Sequence, residues 1–267
     1  MDRLKGKVAF LTGAGAGIAK ATAKAFVREG ARVALFEIDR QVGERAAREI
    51  VQDGGEAIFV ETDVTDEASV AAAVARTIER FGRLDVMMNC AGGSLAQDVN
   101  AHEMDLDVWH KTIALNLLHP FLCCRHGIPH MIAAGGGSII NFASHLGQIG
   151  SERPAYAAAK GGIVSFTKTL AALYAPHGIR ANAIAPGSIR TERWLKRWGS
   201  EAAVDMSDPR QVERFTMRRN YPFSTGEPDD IAAVAVFLAS NESRMLTGTT
   251  INADGGRSSY LKVGGAS

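Results

Sequence analysis

The chain has 267 residues, 46% of them hydrophobic, enough apolar material for one full-sized core and an argument for one α/β domain rather than two small ones. Lys and Arg total 30 against 29 Asp and Glu, a net charge of +1, so nothing global points to nucleic acid or an anionic membrane surface. The three cysteines offer neither a disulfide framework nor CxxC metal spacing, no apolar run reaches the ~18 residues of a membrane span, and the charged start MDRLKGKVAFLTG is unlike a signal peptide; a cytoplasmic protein is expected.

Val8 to Thr12 reads as a short apolar strand, followed by Gly13, Gly15 and Gly17 and a helical run from Ile18 to Glu29. Glycines at a strand-to-helix turn let the backbone approach a ligand, and the new helix presents free N–H groups and a positive dipole end to a pyrophosphate. A second strand, Arg32 to Phe36, ends at Glu37, where a carboxylate can accept both hydroxyls of an adenosine ribose and repel a 2′-phosphate, favouring NAD over NADP. Asp39 competes for that role but also suits the cap of the helix from Arg40 onward, while Arg40 itself could accept a phosphate.

Ala57 to Val60 is a third strand, then Asp63 and Val64, and an amphipathic helix runs from Thr65 or Asp66 to near Gly82. Asp63 can meet the adenine amine or simply cap the local loop, and both readings stand. Asp85 to Met88 is a fourth strand running into Asn89, Cys90, Ala91, Gly92 and Gly93, where Asn89 can tie strand ends together and small residues leave room beside a nucleotide. After a polar loop spanning Gln97 to Asp105, a long helix is expected from about Asp107 to Ala134, with Asn116 in its interior. A mid-helix Asn is costly unless its amide is used or the helix is distorted there. His126 and His130 share a helix face, but Pro129 interrupts the pattern and no carboxylate completes a metal set, so no metal site is expected.

The run Ile139 to Ala143 delivers Ser144, and Tyr156 and Lys160 stand one helical turn apart at the start of an Ala-rich helix. A phenol has a pKa near 10; moving it by ~3 units takes roughly 4 kcal/mol, which a close Lys and a second cation can supply in a partly dry site. His145 and Arg153 lie near enough in sequence to line the same pocket or to scaffold its loops. Pro228 to Ser240 reads as a helix opened by Pro and paired acids, and Thr249 to Asn252 as a last strand before Asp254. The alternation of strand and helix implies a parallel sheet covered on both faces, with ligands at the carboxyl ends of its strands.

These motifs resemble the short-chain dehydrogenase/reductase family over nearly the whole chain. TGAGAGIA at Thr12 to Ala19 is similar to the family's TGxxxGxG turn, with Ala19 in place of the last glycine; NCAG at Asn89 to Gly92 resembles NNAG; and PGSIRT at Pro186 to Thr191 resembles the PGxxxT segment beside the nicotinamide. Asn116, Ser144, Tyr156 and Lys160 match the catalytic tetrad in order. The resemblance implies a Rossmann-type doubly wound sheet in three αβα layers, one domain over residues 1–267, and hydride transfer between NAD and a secondary alcohol or ketone. It further implies Tyr156 as general acid or base, Lys160 on the nicotinamide ribose and lowering the Tyr156 pKa, Ser144 on the substrate oxygen, and Asn116 supporting a relay water. Pro186, Gly187, Ile189 and Thr191 would flank the nicotinamide, with Ile18, Val64, Ala91 and Gly92 along the rest of the cofactor.

By the same resemblance, residues from about 188 to 225 form a substrate lid, here mixing Trp194, Leu195 and Trp198 with Arg190, Arg193, Lys196 and Arg197, and Phe215, Met217 and Tyr221 with Arg214, Arg218 and Arg219. Such a flap can close over a substrate with an apolar body and an anionic group, or its charges can be solvated helix faces. Family members assemble as tetramers or dimers through the helices here at about 107–134 and 154–176. Two other readings remain: an NADP-dependent 3-oxoacyl thioester reductase, which the basic lid suggests and Glu37 opposes, and a non-catalytic dinucleotide-sensing protein.

Overall fold

The computed structural model describes residues 2–198, 223 and 225–259. Its strands are β1 (Val8–Thr12), β2 (Arg32–Glu37), β3 (Ala57–Glu61), β4 (Val86–Asn89), β5 (Gly137–Phe142), β6 (Ile179–Pro186), β7 (Ser188–Ile189), β8 (Thr225–Gly226) and β9 (Thr250–Ala253). Between them run the helices α1 (Gly17–Arg28), α2 (Arg40–Gln52), α3 (Glu67–Phe81), α4 (Leu106–Ile113), α5 (His119–Ala133), α6 (Pro154–Tyr174), α7 (Glu192–Trp198) and α8 (Pro228–Ala239). Seven strands form one sheet in the order β3-β2-β1-β4-β5-β6-β9, every pair parallel.

Strand β1 shows why the sheet is covered on both faces. All its residues are buried, and they alternate: Ala9 and Leu11 join the apolar cluster that includes Phe26 and Ile231, while Val8 and Phe10 join the cluster that includes Val74 and Leu122. Side chains of a strand point to opposite faces in turn, so one pentapeptide serves two cores. Phe10 and Phe36 stack at 4.6 Å between centroids on the second of these faces. Chain order reverses beside β1, which pairs with β2 on one side and β4 on the other; the crevice at the carboxyl ends of these strands is where ligands bind in such sheets.

Two departures from the sequence reading bear on the site. The helix expected from Asp107 to Ala134 is broken by a π-turn at Ala114–Leu118, which carries Asn116. The wider turn loosens the ladder, and the Asn116 side-chain amide donates to Thr112 O at 2.9 Å, so the costly mid-helix Asn is used. In addition, Ile179–Pro186, passed over in the sequence, is a central strand between β5 and β9.

Strands β7 and β8 form a separate ladder, Ser188 opposite Thr225 and Ile189 opposite Gly226, extended by the Arg190 N–H donating to Gly226 O at 2.9 Å. The expected lid lies between them; of its members Phe215, Met217, Tyr221, Arg214, Arg218 and Arg219 fall outside the described residues.

Candidate active site

The turn from β1 into α1 depends on glycine at three positions for three reasons. Gly13 has φ +66°, and a Cβ there would lie 3.1 Å from Ala91 Cα; Gly17 has φ +54° and abuts Thr191; a Cβ on Gly15 would meet Val42 Cγ1 at 2.6 Å and Glu37 Oε2 at 3.0 Å. Helix α1 has no side-chain cap and no acid in its first turn. Its Gly17 N–H instead donates to Glu192 Oε2 at 3.2 Å, an oxyanion reaching in from α7. A helix end that takes a distant carboxylate in this way has the donor a phosphate needs.

Glu37 is fixed beside this turn by three backbone donors: Gly15 N–H at 3.2 Å, Ile38 N–H at 2.9 Å and Asp39 N–H at 3.2 Å. Asp39 caps α2, accepting from Val42 N–H at 3.1 Å, and Arg40 pairs with Glu61 and Glu44. Asp39, the competitor for the ribose, and Arg40, the candidate for a phosphate, are therefore otherwise engaged. Asp63 is turned into its own loop, accepting from Thr65 N–H at 2.8 Å and Thr65 Oγ1 at 2.6 Å, while its neighbours Thr62 and Val64 line the crevice. Asp63 therefore holds its own loop.

A crevice of about 860 Å³ opens over these strand ends. It brings together Gly13, Gly17, Ile18, Glu37, Val64, Ala91, Gly92, Ser144, Tyr156, Lys160, Pro186, Gly187, Ile189 and Thr191. Gly15, Asp63, Asn89 and Asn116 are not among its lining residues. Buried Asn89 ties β4 to β5 through Nδ2 to Asn141 Oδ1 at 2.8 Å. Asn116 grips the loop after β4 from both sides, accepting from Gly93 N–H at 2.9 Å and donating to Gly93 O at 3.1 Å.

Ser144, Tyr156 and Lys160 meet in the inner part of the crevice. Ser144 is buried and caps a short turn, its Oγ accepting from Leu146 N–H at 3.2 Å. Lys160 is also buried; its Nζ donates to Phe142 O at 2.7 Å and lies 5.7 Å from the centroid of the Tyr156 ring. Burial lowers its pKa to about 8. The expectation that Lys160 depresses the Tyr156 pKa is corrected: the phenol is held above its ordinary value by burial, opposed by its hydrogen bond with Ser144 and by the Arg193 cation, with Cys90 adding to the rise. The ammonium sits over the ring and is directed to a carbonyl, so desolvation wins.

Three contributors escaped the sequence reading. Asp98, 2% exposed, sends its carboxylate to the start of α6, where Oδ1 accepts from Ala155 N–H at 3.1 Å and Oδ2 from Tyr156 N–H at 2.9 Å. Only Pro154 at the first turn signals that helix start; the N-cap, Arg153, gives no side-chain cap, and nothing local names Asp98 as its replacement. His119 is the second. Burial drives its pKa to about 3, so it is neutral; Nδ1–H donates to Leu115 O at 2.9 Å, and Nε2 must accept from Thr12 Oγ1 at 3.1 Å. Thr12 in turn accepts from Cys90 N–H at 2.9 Å and Ala91 N–H at 3.0 Å, locking β1, the β4 loop and the π-turn together. Glu192 on the Gly17 amide is the third.

His145 and Arg153 are scaffolding: His145 Nδ1 donates to Pro186 O at 3.1 Å and Arg153 Nη1 to Leu95 O at 2.7 Å. His126 does meet a carboxylate, Glu67 at 3.2 Å, but shares it with Arg125 in a surface ion pair. Asp98→Ala should cost about 2 kcal/mol of stability and lower kcat without changing cofactor affinity, with Asp98→Asn, which keeps one of the two acceptor oxygens, recovering only part of both. Thermal denaturation read beside steady-state kinetics checks this.

A family model described as enoyl-(acyl carrier protein) reductase matches residues 13–258. The chain is 37% identical over 255 residues to D-threitol dehydrogenase of Mycolicibacterium smegmatis, covering 95% of this chain and 94% of that protein. It is 35% identical over 258 residues to 2-(S)-hydroxypropyl-CoM dehydrogenase 3 of Xanthobacter autotrophicus, covering 96% and 98% respectively. The crystal structure of levodione reductase superposes with a TM-score of 0.87 at 33% identity, over 97% of this chain and 100% of that one.

Proposed function

The chain belongs to the short-chain dehydrogenase/reductase family and is an oxidoreductase; from that premise we propose an NAD(H)-dependent enzyme that interconverts a secondary alcohol and its ketone, with Tyr156 as general acid and base. The observation carrying this reading is that Ser144, Tyr156 and Lys160 share one crevice with the Gly13–Gly17 turn. The residues present suit a pyridine dinucleotide. The glycine cradle leaves space that a Cβ would fill, the Gly17 N–H already donates to a carboxylate oxygen, and Glu37 stands at the turn's outer end. Gly13, Gly17 and Ile18 would hold the pyrophosphate, Glu37 the adenosine ribose, and Ala91, Gly92, Pro186, Gly187, Ile189 and Thr191 the nicotinamide half. The bound cofactor supplies the hydride donor or acceptor.

In this reading the chain's own groups manage the proton. Ser144 Oγ positions the substrate oxygen, Tyr156 gives the proton to a carbonyl or takes it from an alcohol, and Lys160 holds its positive charge over the Tyr156 ring. Asn116, gripping Gly93, keeps the loop over them in place. The raised phenol pKa keeps Tyr156 protonated at neutral pH, which suits the reductive direction.

Glu37 supports NAD over NADP. Repulsion between its carboxylate and a 2′-phosphate runs from about 1 kcal/mol per charge in water to ~4 kcal/mol near a protein surface at contact distances, tenfold or more in specificity. Glu37→Ala should therefore raise kcat/KM for NADPH at least about tenfold and lower it for NADH; comparison of the two cofactors in both proteins tests the assignment. A strong wild-type preference for NADPH would instead favour the thioester reductase reading.

We further propose a homo-oligomer, dimer or tetramer, in the cytoplasm. Leu118, Phe121 and Leu173 leave large apolar side chains exposed on the π-turn, α5 and α6, and all three cysteines are free. Among the described residues no helix is long and apolar enough to cross a membrane.

A further inference from the structure

The inner crevice has a charge that the proposed reaction does not use. Arg193, on α7, reaches across to the loop after β4, where Nη2 donates to Ser94 O at 2.5 Å and Nη1 lies 3.4 Å from Gly92 O. The guanidinium rests directly on backbone. Gly92 and Gly93 both have φ +149°, and a Cβ on Gly93 would lie 2.0 Å from Arg193 Nη1 and 2.7 Å from its Cζ, so the second glycine is what makes the seat. Asn116 fixes that same glycine from behind, and a Cβ on Gly92 would stand 3.5 Å from Lys160 Nζ. The cation is therefore built into the reacting end of the crevice.

Counter-charge is missing there. Of the side chains lining the crevice the acidic ones are Glu37 and Glu192; in this structure they accept from the amides of Gly15 and Gly17, and neither forms an ion pair with Arg193 or Lys196. Arg193 and Lys196, one turn apart on α7, also line the crevice, and among the described residues no ion pair joins either to a carboxylate. Elsewhere the chain pairs such cations readily, as at Arg3 with Glu29, Arg40 with Glu61 and Arg83 with Asp85. A guanidinium held by two carbonyl oxygens keeps further N–H donors, and their fork suits a planar or tetrahedral oxyanion.

Building on the oxidoreductase reading above, we propose that Arg193 is a specificity-determining residue that binds the non-reacting end of the substrate, and that the preferred substrate is a hydroxy or oxo compound bearing an oxyanion group such as a carboxylate, sulfonate or phosphate. Lys196 adds long-range attraction in the same crevice. Neutral polyols and simple ketones of equal size are the poorer substrates.

The test uses hydroxy acids against their primary amides, 3-hydroxybutanoate and 4-hydroxypentanoate with NAD, together with sulfonate and phosphate analogues of the same chain length. Wild type should favour the anion of each pair by about ten- to a hundredfold in kcat/KM, an effect of the size expected for one charge-assisted contact. In Arg193→Ala the preference should collapse through a rise in KM for the anions, and Arg193→Lys should restore part of it. Binding of butanoate against butanamide to the NADH-loaded protein, followed by nicotinamide fluorescence, reads the seat independently of turnover. Equal constants for acid and amide in wild type, or a preference undiminished in Arg193→Ala, would overturn the inference. Absence of turnover across the panel combined with selective butanoate binding would instead count against the reaction and leave the anion seat standing.

Discussion

Replacing Tyr156 with Phe should lower kcat by about a thousandfold, within the range for loss of a positioned general acid or base, while NADH affinity stays essentially unchanged. Phe keeps the ring that packs beside the Lys160 ammonium, 5.7 Å from Nζ to centroid, and removes only the oxygen that bonds toward Ser144. The phenol is held above its ordinary pKa by burial, so the wild-type rates should respond to pH in opposite senses. Ketone reduction needs the protonated phenol and should fall on the alkaline side; alcohol oxidation needs the phenolate and should climb there. Steady-state rates in both directions, with cofactor binding by fluorescence, check the expectation. A Phe variant that turns over at the wild-type rate removes Tyr156 from the chemistry.

Lys160→Met should reduce kcat/KM by about a hundredfold or more, as expected when a preorganised electrostatic partner is lost from a desolvated site. It also has a distinctive stability signature. Burial lowers the amine from its ordinary 10.5 to about 8, so between those values the folded protein has shed a proton that the unfolded chain still holds. Stability contributed by this group is complete above the upper value and is lost as pH falls through the lower one. Relative to the Met variant, wild type should gain about 3 kcal/mol across that window. The difference between the two proteins is the proper readout, because the buried thiols of Cys90, Cys123 and Cys124, all raised by burial, push absolute stability the other way above their ordinary range. Denaturant titrations at several pH values measure it; a difference that does not change with pH would mean the ammonium is not desolvated.

The parts of the fold that sequence made legible are those whose cause is local. The apolar run Val8–Thr12, the glycines after it and the Ala-rich α6 each carry their signal within a dozen residues, and the strand ends bearing Glu37 and Ser144 converge because parallel strands must. Asp39 as a cap could be read from its place before a helix. What was hidden depends on partners distant in the chain or on small changes of helical geometry. The π-turn adds width without disturbing the apolar pattern on either side, so α4 and α5 read as one helix. Strand β6, IRANAIAP, has two strong strand formers, Ile179 and Ile184, among three Ala, an Asn and a Pro, which strands disfavour, and is a strand because β5 and β9 flank it. Asp98 meets α6 across 57 and 58 positions of sequence, and the spacing of Tyr156 and Lys160 placed the ammonium near the ring without revealing that it donates to Phe142 O.

The ladder between Ser188–Ile189 and Thr225–Gly226, reinforced by the ion pair of Arg190 with Glu227, brings both ends of the intervening chain to one point on the sheet's rim. Closing a loop costs only logarithmically in its length, about 0.6 kcal/mol per doubling. Insertions and deletions inside the clasped stretch beyond α7 therefore cost the sheet's rim little. Chain length can vary there while the strand ends that carry Ser144 and the Gly13–Gly17 turn stay in register.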